Sequence, residues 1–187
     1  MARLQSYQDA MQFISELHEA CQAMRGIPGV TIAQIDGLCL GGGLELAAAC
    51  DFRYATRRST FSMPETKYGI PSVIEARLLA NIIGWQKTKE MVYFAQSYST
   101  EEVAQWGLVD RSCGTPEQLE ETVSGAVATI TSYGPRTIRE QKRLVAIWEE
   151  SDLITGVRAG IDSYARMFDD GGSEPKHYMK AFTDQKK

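Results

Sequence analysis

Hydrophobic positions change their spacing along this 187-residue chain. Apolar residues recur at every third or fourth position from about Tyr7 to Met24, which predicts an amphipathic helix. The segment 30–36, VTIAQID, is short and rich in β-branched residues, so we predict a buried strand there. Leu44 to Cys50 then predicts an alanine- and leucine-rich helix, and the stretches 52–56 and 59–63 predict two short strands.

Beyond residue 70 the pattern is mainly helical. Ser99 with Glu102 forms a capping-box pattern, and Thr115 followed by Pro116 is a strong helix start. One more short strand is predicted in GLVDRSC, residues 107–113. The predicted helices cover approximately 73–83, 86–96, 100–106, 115–133, 136–149, 152–168 and a short C-terminal segment. These few strands are a small number for a compact α/β domain.

Composition and charge exclude several classes of protein. Lys and Arg number 20 against 24 Asp and Glu, a formal net charge of −4, which argues against a nucleic-acid partner bound through a broad basic surface. The four cysteines have no C-x-x-C spacing, so we expect reduced thiols and no metal site. No apolar run reaches membrane-spanning length. We therefore expect a soluble intracellular protein without a membrane partner, with cytoplasm, mitochondrion and peroxisome not distinguished.

Three consecutive glycines, Gly41, Gly42 and Gly43, lie between the predicted strand and the predicted helix. Their spacing matches neither the nucleotide P-loop nor the dinucleotide-binding motif. Glycines here leave backbone N–H groups unshielded at the positive end of a helix, where an oxyanion can bind. Close packing of the strand against the helix is the alternative interpretation.

Two glutamates stand near the glycines. Glu45 falls on the first turn of the predicted helix, and Glu65 follows a strand and a proline 20 residues later. Each has an ordinary interpretation, since Glu45 complements the helix dipole and a loop carboxylate is commonly a solvated surface group. The sequence around the two glutamates favours a functional interpretation of the pair.

The stretch IAQIDGLCLGGGLELAAACDFRYATRRSTFSMPETKYGI closely resembles the signature region of the crotonase, or enoyl-CoA hydratase/isomerase, superfamily. GWQKTKEMVYFAQSYSTEEVAQWGLVD and the closing MKAF resemble later segments of that family. The resemblance implies an α/β fold, a crotonase-like spiral of ββα units that is N-terminally truncated. It implies the C-terminal part of the core, with the active-site residues, over 1–112, and a helical oligomerisation segment over 113–187 that forms a homotrimer or a dimer of trimers.

The resemblance also implies site residues and chemistry. Gly42 matches the N–H donor of the family's oxyanion hole, and Glu45 and Glu65 match the paired acid and base of its hydratases. Substrate-binding positions are implied at Gly41, Gly43, Pro71 and Ser72. Water then adds across the C2=C3 bond of a 2-enoyl-CoA thioester, with the enolate held by backbone donors. CoA is part of this acyl-CoA substrate, so no cofactor and no metal are expected.

Two departures from the family pattern qualify that implication. The family's second oxyanion N–H comes from a loop upstream of the helix at which this chain begins. After Pro71, where many relatives have glycines, this chain has Ser72-Val73-Ile74-Glu75. Glu75 is a candidate third carboxylate, but we favour a helix-start charge. His18 and His177 have no neighbouring ligand cluster and are interpreted as solvated helix-face residues.

Several functions therefore stay open. The leading prediction is an enoyl-CoA hydratase-like lyase, with isomerase, hydratase-lyase, decarboxylase and hydrolase as other activities of the same fold. The alternative from another class is a truncated, non-catalytic subunit of the family that acts through assembly.

Overall fold

The computed structural model describes residues 4–184, which form eight α helices and six short strands in two compact units. The first unit holds the residues up to Ile27 and Thr31–Ser124, and the second holds Pro28–Val30 and the residues from Gly125 onward. The predicted domains 1–112 and 113–187 include residues 1–3 and 185–187, which lie outside the described residues.

The first unit contains all six strands of the described residues and the elements that surround them. They are α1 (Tyr7–Arg25), β1 (Ile32–Ile35), β2 (Leu38–Leu40), α2 (Gly42–Ala48), β3 (Phe52–Thr56), β4 (Thr60–Ser62), a 3-10 turn (Glu65–Tyr68), α3 (Ala76–Phe94), β5 (Tyr98–Ser99), α4 (Thr100–Gln105) and β6 (Arg111–Cys113). Helix α5 (Pro116–Thr131) follows, and the second unit continues with α6 (Pro135–Glu150), α7 (Leu153–Arg166) and α8 (Ser173–Asp184).

The strands form two three-stranded sheets, and the chain alternates between them from β1 to β4. One sheet has the order β1-β3-β6 and is parallel, and the other has the order β2-β4-β5, with β2 and β4 parallel and β5 antiparallel. Each of the first two passes, β1 with β2 and β3 with β4, therefore places one strand in each sheet. Helical structure follows each pass, α2 after the first and the 3-10 turn and α3 after the second. This is a spiral of ββα units, in which each pass pairs with the pass before it.

Two corners between the sheets are joined by hydrogen bonds. At the first corner Gly37 has a φ of 126°, which favours glycine. Its N–H donates to Ser59 Oγ of the second corner at 3.0 Å, and Thr60 N–H donates back to Gly37 O at 3.0 Å. Asp36 accepts from Thr56 Oγ1 at 2.7 Å and pairs with Arg58. These bonds fix the register between successive passes.

The core lies between the two sheets and the helices. Its largest fully buried side chains are Phe61, Leu44, Met63, Leu79, Met91, Leu108, Leu119 and Val103. Arg53 is buried among them, and its guanidinium donates to the carbonyls of Cys50 and Leu108 at 2.9 and 2.7 Å and approaches Asp110. A buried guanidinium is tolerated because these acceptors replace water. Arg53 thereby ties the end of α2 to the segment that leads into β6.

Most predicted elements are confirmed with small shifts in their ends. The capping box of Ser99 and Glu102 is present, and Gln118 N–H donates to Thr115 Oγ1 at the start of α5. The two helices predicted around residues 73–96 are joined in α3, which is interrupted at Gly84, where φ is 73° and ψ is 161°. Strand β2 was not predicted, and α2 begins at Gly42, inside the glycine triplet.

The second unit is helical. Helices α6 and α7 pack closely because Gly156 has no side chain: a Cβ there would lie 2.9 Å from Trp148 Cδ1. The Trp148 indole N–H donates to Gly156 O at 3.0 Å. Among residues 4–184, no helix is both long enough and apolar enough to cross a membrane.

Candidate active site

Gly41 forms the turn between β2 and α2. Its φ of 51° and ψ of −125° are unfavourable for residues with a side chain, and its N–H donates to Ser62 O of β4 at 2.9 Å. A Cβ on Gly41 would overlap Glu65 Oε1. Glycine is therefore required twice here, by the backbone conformation and by the carboxylate that lies against it.

Glu65 is the first residue of the 3-10 turn after β4. Its carboxylate is half-buried, and Oε2 accepts a hydrogen bond from Ser72 Oγ at 2.8 Å. Ser72 thus acts on Glu65 through its hydroxyl, a contact that the sequence did not indicate. Pro71, the other predicted substrate-binding residue of this segment, is exposed beside it.

Gly42 and Gly43 occupy the first turn of α2. The first intrahelical bond is donated by Glu45 N–H to Gly41 O at 2.9 Å, so the N–H groups of Gly42 and Gly43 precede the helical hydrogen-bond ladder. Gly42 also allows close packing, since a Cβ there would lie 2.9 Å from Leu17 Cδ2 of α1. Gly43 is exposed, and a Cβ there would meet nothing within 4 Å. The close-packing interpretation therefore applies to Gly42, although its packing partner is a helix, and oxyanion binding at its N–H stays a prediction.

Glu45 lies one helical turn after Gly41 and is only 4% exposed. Its Oε1 accepts a hydrogen bond from the backbone N–H of Ala76, the first residue of α3, at 3.1 Å. The Glu45 side chain, which belongs to α2, therefore caps the start of α3. A buried carboxyl group needs such a partner, because burial without a hydrogen bond is costly.

The environment of Glu45 favours its protonated form. Burial raises the pKa of Glu45 to about 7, and the negative charges of Glu65 and Glu75 add to this rise, while the hydrogen bond from Ala76 N–H opposes it. The effect of Glu65 indicates that the two carboxylates are close enough to interact. A group with a pKa near 7 can donate or accept a proton at neutral pH, as general acid–base catalysis requires.

Glu75 belongs to the same cluster, and it lies at the start of a helix, as the sequence indicated, but not as an exposed charge. Its side chain is 4% exposed and makes no capping bond to α3, although Glu75 occupies the N-cap position. Its Oε1 instead contacts His18 Nδ1 and accepts from Gln22 Nε2 of α1, each at 2.8 Å. His18 lies on an exposed face of α1, as predicted, with its ring 48% exposed, and its contact with Glu75 is an addition that the sequence did not indicate. The i, i+4 spacing of His18 and Gln22 places them on one face of α1, but no sequence signal joins that face to Glu75.

Metal binding and thiol reactivity were considered for the described residues and for Cys21 beside the carboxylates. Within residues 4–184 no group of three or more His, Cys, Asp or Glu side chains could hold a metal ion. Burial, together with the charges of Glu75 and Glu45, raises the pKa of the Cys21 thiol to about 11, which makes it unreactive near neutral pH. The expectation that no cofactor is needed stays a prediction.

The contact between Gly41 and Glu65 gives a matched pair of substitutions. We expect Gly41→Ala to lower the free energy of unfolding by about 2–4 kcal/mol, because it strains the backbone and displaces the carboxylate. Gly43→Ala, two residues away, should be neutral or stabilising by up to about 1 kcal/mol, since it adds a better helix former in open space. Denaturant unfolding of both variants measures the difference, and equal effects would contradict the steric role of Gly41.

The pKa of Glu45 predicts a pH-dependent stability difference. Since folding raises this pKa from 4.5 to about 7, the contribution of Glu45 is fully present below pH 4.5 and is lost as the pH rises through 7. Glu45→Gln keeps an oxygen for Ala76 N–H and removes the charge. We expect the variant to gain about 2 kcal/mol on the wild type between pH 5 and pH 8. Urea unfolding at both pH values measures this gain, and a pH-independent difference would contradict the raised pKa.

Comparison with known proteins places this geometry in a family. The family model described as enoyl-CoA hydratase/isomerase matches residues 1–187. The putative enoyl-CoA hydratase/isomerase YngF of Bacillus subtilis is 33% identical over 148 residues, covering 79% of this chain and 56% of that protein. The mitochondrial methylglutaconyl-CoA hydratase of Mus musculus is 31% identical over 158 residues, covering 82% of this chain and 50% of that protein. The chain thus spans about half the length of these relatives.

Solved structures agree with the fold. An enoyl-CoA hydratase from Bacillus anthracis superposes with a TM-score of 0.89 at 26% identity, covering 97% of this chain and 69% of the other. DspI of Pseudomonas aeruginosa superposes with a TM-score of 0.92 at 26% identity, covering 99% and 70%. The predicted crotonase-like α/β fold is confirmed, and by its sequence match along the whole chain this protein belongs to the enoyl-CoA hydratase/isomerase family.

Proposed function

We propose that this protein adds water across the C2=C3 bond of a 2-enoyl-CoA thioester, with Glu45 and Glu65 as its acid–base pair. The observation that carries the proposal is the placement of two interacting carboxylates around Gly41, the residue before the Gly42 N–H. Glu65 lies against Gly41, and Glu45 follows it by one turn of α2. Two carboxyl groups at one backbone donor are what this reaction requires.

The proposed reaction uses these groups in sequence. One carboxylate takes a proton from water as the oxygen bonds to C3, and the electron pair of the C2=C3 bond moves to the thioester oxygen. The resulting enolate accepts a hydrogen bond from Gly42 N–H, in the first turn of α2. The other carboxyl group then delivers its proton to C2, so the atoms of one water molecule are added. CoA is part of the substrate, and the proposal includes no further cofactor.

The remaining predicted residues have supporting roles in this proposal. Ser72 orients Glu65 through the 2.8 Å hydrogen bond to Oε2. Gly43 leaves the backbone beside Gly42 open, Gly41 admits the Glu65 carboxylate against it, and Pro71 is exposed next to Ser72. Acyl-CoA substrates are supported by the relatives, which include a methylglutaconyl-CoA hydratase and the short-chain-enoyl-CoA hydratase of Clostridium acetobutylicum.

Steady-state kinetics with crotonyl-CoA test the proposal. We expect turnover by the wild type, and a fall in kcat/KM of at least about 100-fold in both Glu45→Gln and Glu65→Gln, because each variant loses a proton-transfer group. Glu19→Gln, at an exposed position of α1, is the matched control and should keep wild-type activity.

The pattern of losses also separates the alternatives. An isomerase that shuttles one proton with one carboxylate would tolerate one of the two Gln variants. Absence of turnover together with absence of crotonyl-CoA binding by calorimetry would overturn the enzyme proposal and favour a non-catalytic family subunit.

The proposal also includes self-association through the second unit, as a homotrimer or a dimer of trimers. Helix α7 exposes a row of large apolar side chains, and four of them, Leu153, Val157, Ile161 and Tyr164, line a groove of about 660 Å³ together with Trp148. The most exposed side chains of this row are Leu153 at 82%, Tyr164 at 72%, Ile161 at 68%, Ile154 at 64% and Val157 at 56%. An exposed apolar patch of this kind is typical of an interface.

Replacing two of these residues tests the association. We expect the double variant Val157→Glu/Ile161→Glu to lower the molar mass measured by light scattering, because charge on this surface opposes apolar contact. Arg158→Glu, exposed on the same helix, is the control and should keep the wild-type mass. Unchanged mass in the double variant would place the interface elsewhere.

A further inference from the structure

A strained turn precedes α3 beside the proposed acid–base pair. Ile74 has a φ of 41°, in the left-handed region that a β-branched residue rarely adopts. It is followed by Glu75, the N-cap of α3, and by Ala76, whose N–H donates to Glu45. Backbone strain of this kind persists where the surrounding contacts hold it, and it concentrates at functional sites.

At the start of α3 the side chain that accepts a backbone N–H is that of Glu45 from α2, and not that of the N-cap residue Glu75. A carboxylate at the N-cap normally accepts from the first N–H groups of its own helix. Here Glu45 of α2 takes the Ala76 N–H, and the Glu75 side chain makes no capping bond. Glu75 turns to α1, where His18 and Gln22 both contact Oε1, and its Oε2 is buried without a hydrogen-bond partner in the described structure.

This arrangement brings two buried carboxyl groups to the peptide unit that joins Glu75 to Ala76. Glu75 belongs to that peptide unit, and Glu45 accepts a hydrogen bond from its N–H. Each is 4% exposed. Their closeness is supported by electrostatics, since the charge of Glu75 raises the pKa of Glu45, and the charges of both raise the pKa of the thiol of Cys21 in α1. The contacts with His18 and Gln22 join this second buried carboxylate to α1, although burying a charge is by itself unfavourable.

We propose that Glu75 is a positioning residue of the site: its contacts with α1 hold the turn before α3, and with it the Ala76 N–H that orients Glu45, so that Glu75 sets how Glu45 holds its proton. This inference rests on the proposed acid–base role of Glu45. An acid and a base at one site need different environments to hold different protonation states. Glu75 makes the environments of the two carboxyl groups different. Its charge raises the pKa of Glu45, whereas Glu65 accepts a hydrogen bond from Ser72.

The titratable groups around Glu45 come from three directions. Glu65 reaches it from the 3-10 turn, Glu75 from the start of α3, and Cys21 from α1. His18 contacts the Glu75 carboxylate, and its ring is 48% exposed. It therefore connects the buried Glu75 carboxylate to solvent. Substitution of Glu75 therefore changes the charge beside Glu45 and leaves Glu65 in place.

Carboxyl NMR of the unliganded protein tests the inference without relying on activity. Glu75→Gln keeps an oxygen for His18 and Gln22 and removes the charge. We expect the titration midpoint of Glu45, assigned from the signal lost in Glu45→Gln, to fall by about one pH unit in this variant. Glu75→Met, which removes both the charge and the acceptor, should lower the midpoint too, and Glu19→Gln should leave it unchanged.

Kinetics then separates this inference from the proposed function. If the protein hydrates crotonyl-CoA, the pH profile of kcat should move in Glu75→Gln in the same direction as the NMR midpoint. A midpoint that moves in a protein without hydratase activity would support the role of Glu75 towards Glu45 and overturn only the proposed function. A midpoint that stays unchanged in both Glu75 variants, with only a change in thermal stability, would show a purely structural residue and overturn the inference.

Discussion

Burial of the Glu45 carboxyl group is the constraint on which the arrangement of this site depends. A carboxyl group that is 4% exposed must find a donor within the protein, and the available donor is the first N–H of α3. That bond joins the helix after the first ββα pass to the helix after the second. It also fixes the Glu75–Ala76 peptide next to Glu45, so the capping of α3 and the placement of the proposed acid–base pair are one interaction.

The two-sheet spiral explains why the second carboxylate comes so close. Strands β2 and β4 are parallel neighbours, and the residues that follow them leave the sheet at the same edge. Gly41 follows β2 and Glu65 follows β4, so the turn of one pass and the carboxylate of the next are placed side by side. The absence of a side chain at Gly41 is what allows that contact.

Local patterns predicted the elements with a strong sequence signal. The periodicity of α1, the capping box of α4 and the Thr-Pro start of α5 act within a few residues, and all three are present. Strand β2 was missed because three residues and a glycine corner give too short an alternation to recognise. Its pairing with β4 comes from tertiary contacts that a local reading does not contain.

The same distinction applies to the site. Glu45, Glu65 and the glycines were predicted because their order along the chain resembles a family pattern, and their catalytic roles stay a prediction. Glu75 lies at the start of α3, as the sequence indicated, but its burial was not predicted, since a helix start is the ordinary place for an exposed acid. Its burial follows from His18 and Gln22, which are 57 and 53 residues away in sequence. The positive φ of Ile74 likewise opposes the preference of its residue type.

The length of α2 has a consequence for how this site comes into being. At seven residues the helix is too short to be stable as an isolated segment, because its nucleation is not repaid by further turns. Glu45 acquires its fixed position only when α1 packs on Gly42 and α3 presents its first N–H. A partly folded chain that lacks α1 or α3 therefore does not hold Glu45 in the position that its proposed role in proton transfer needs.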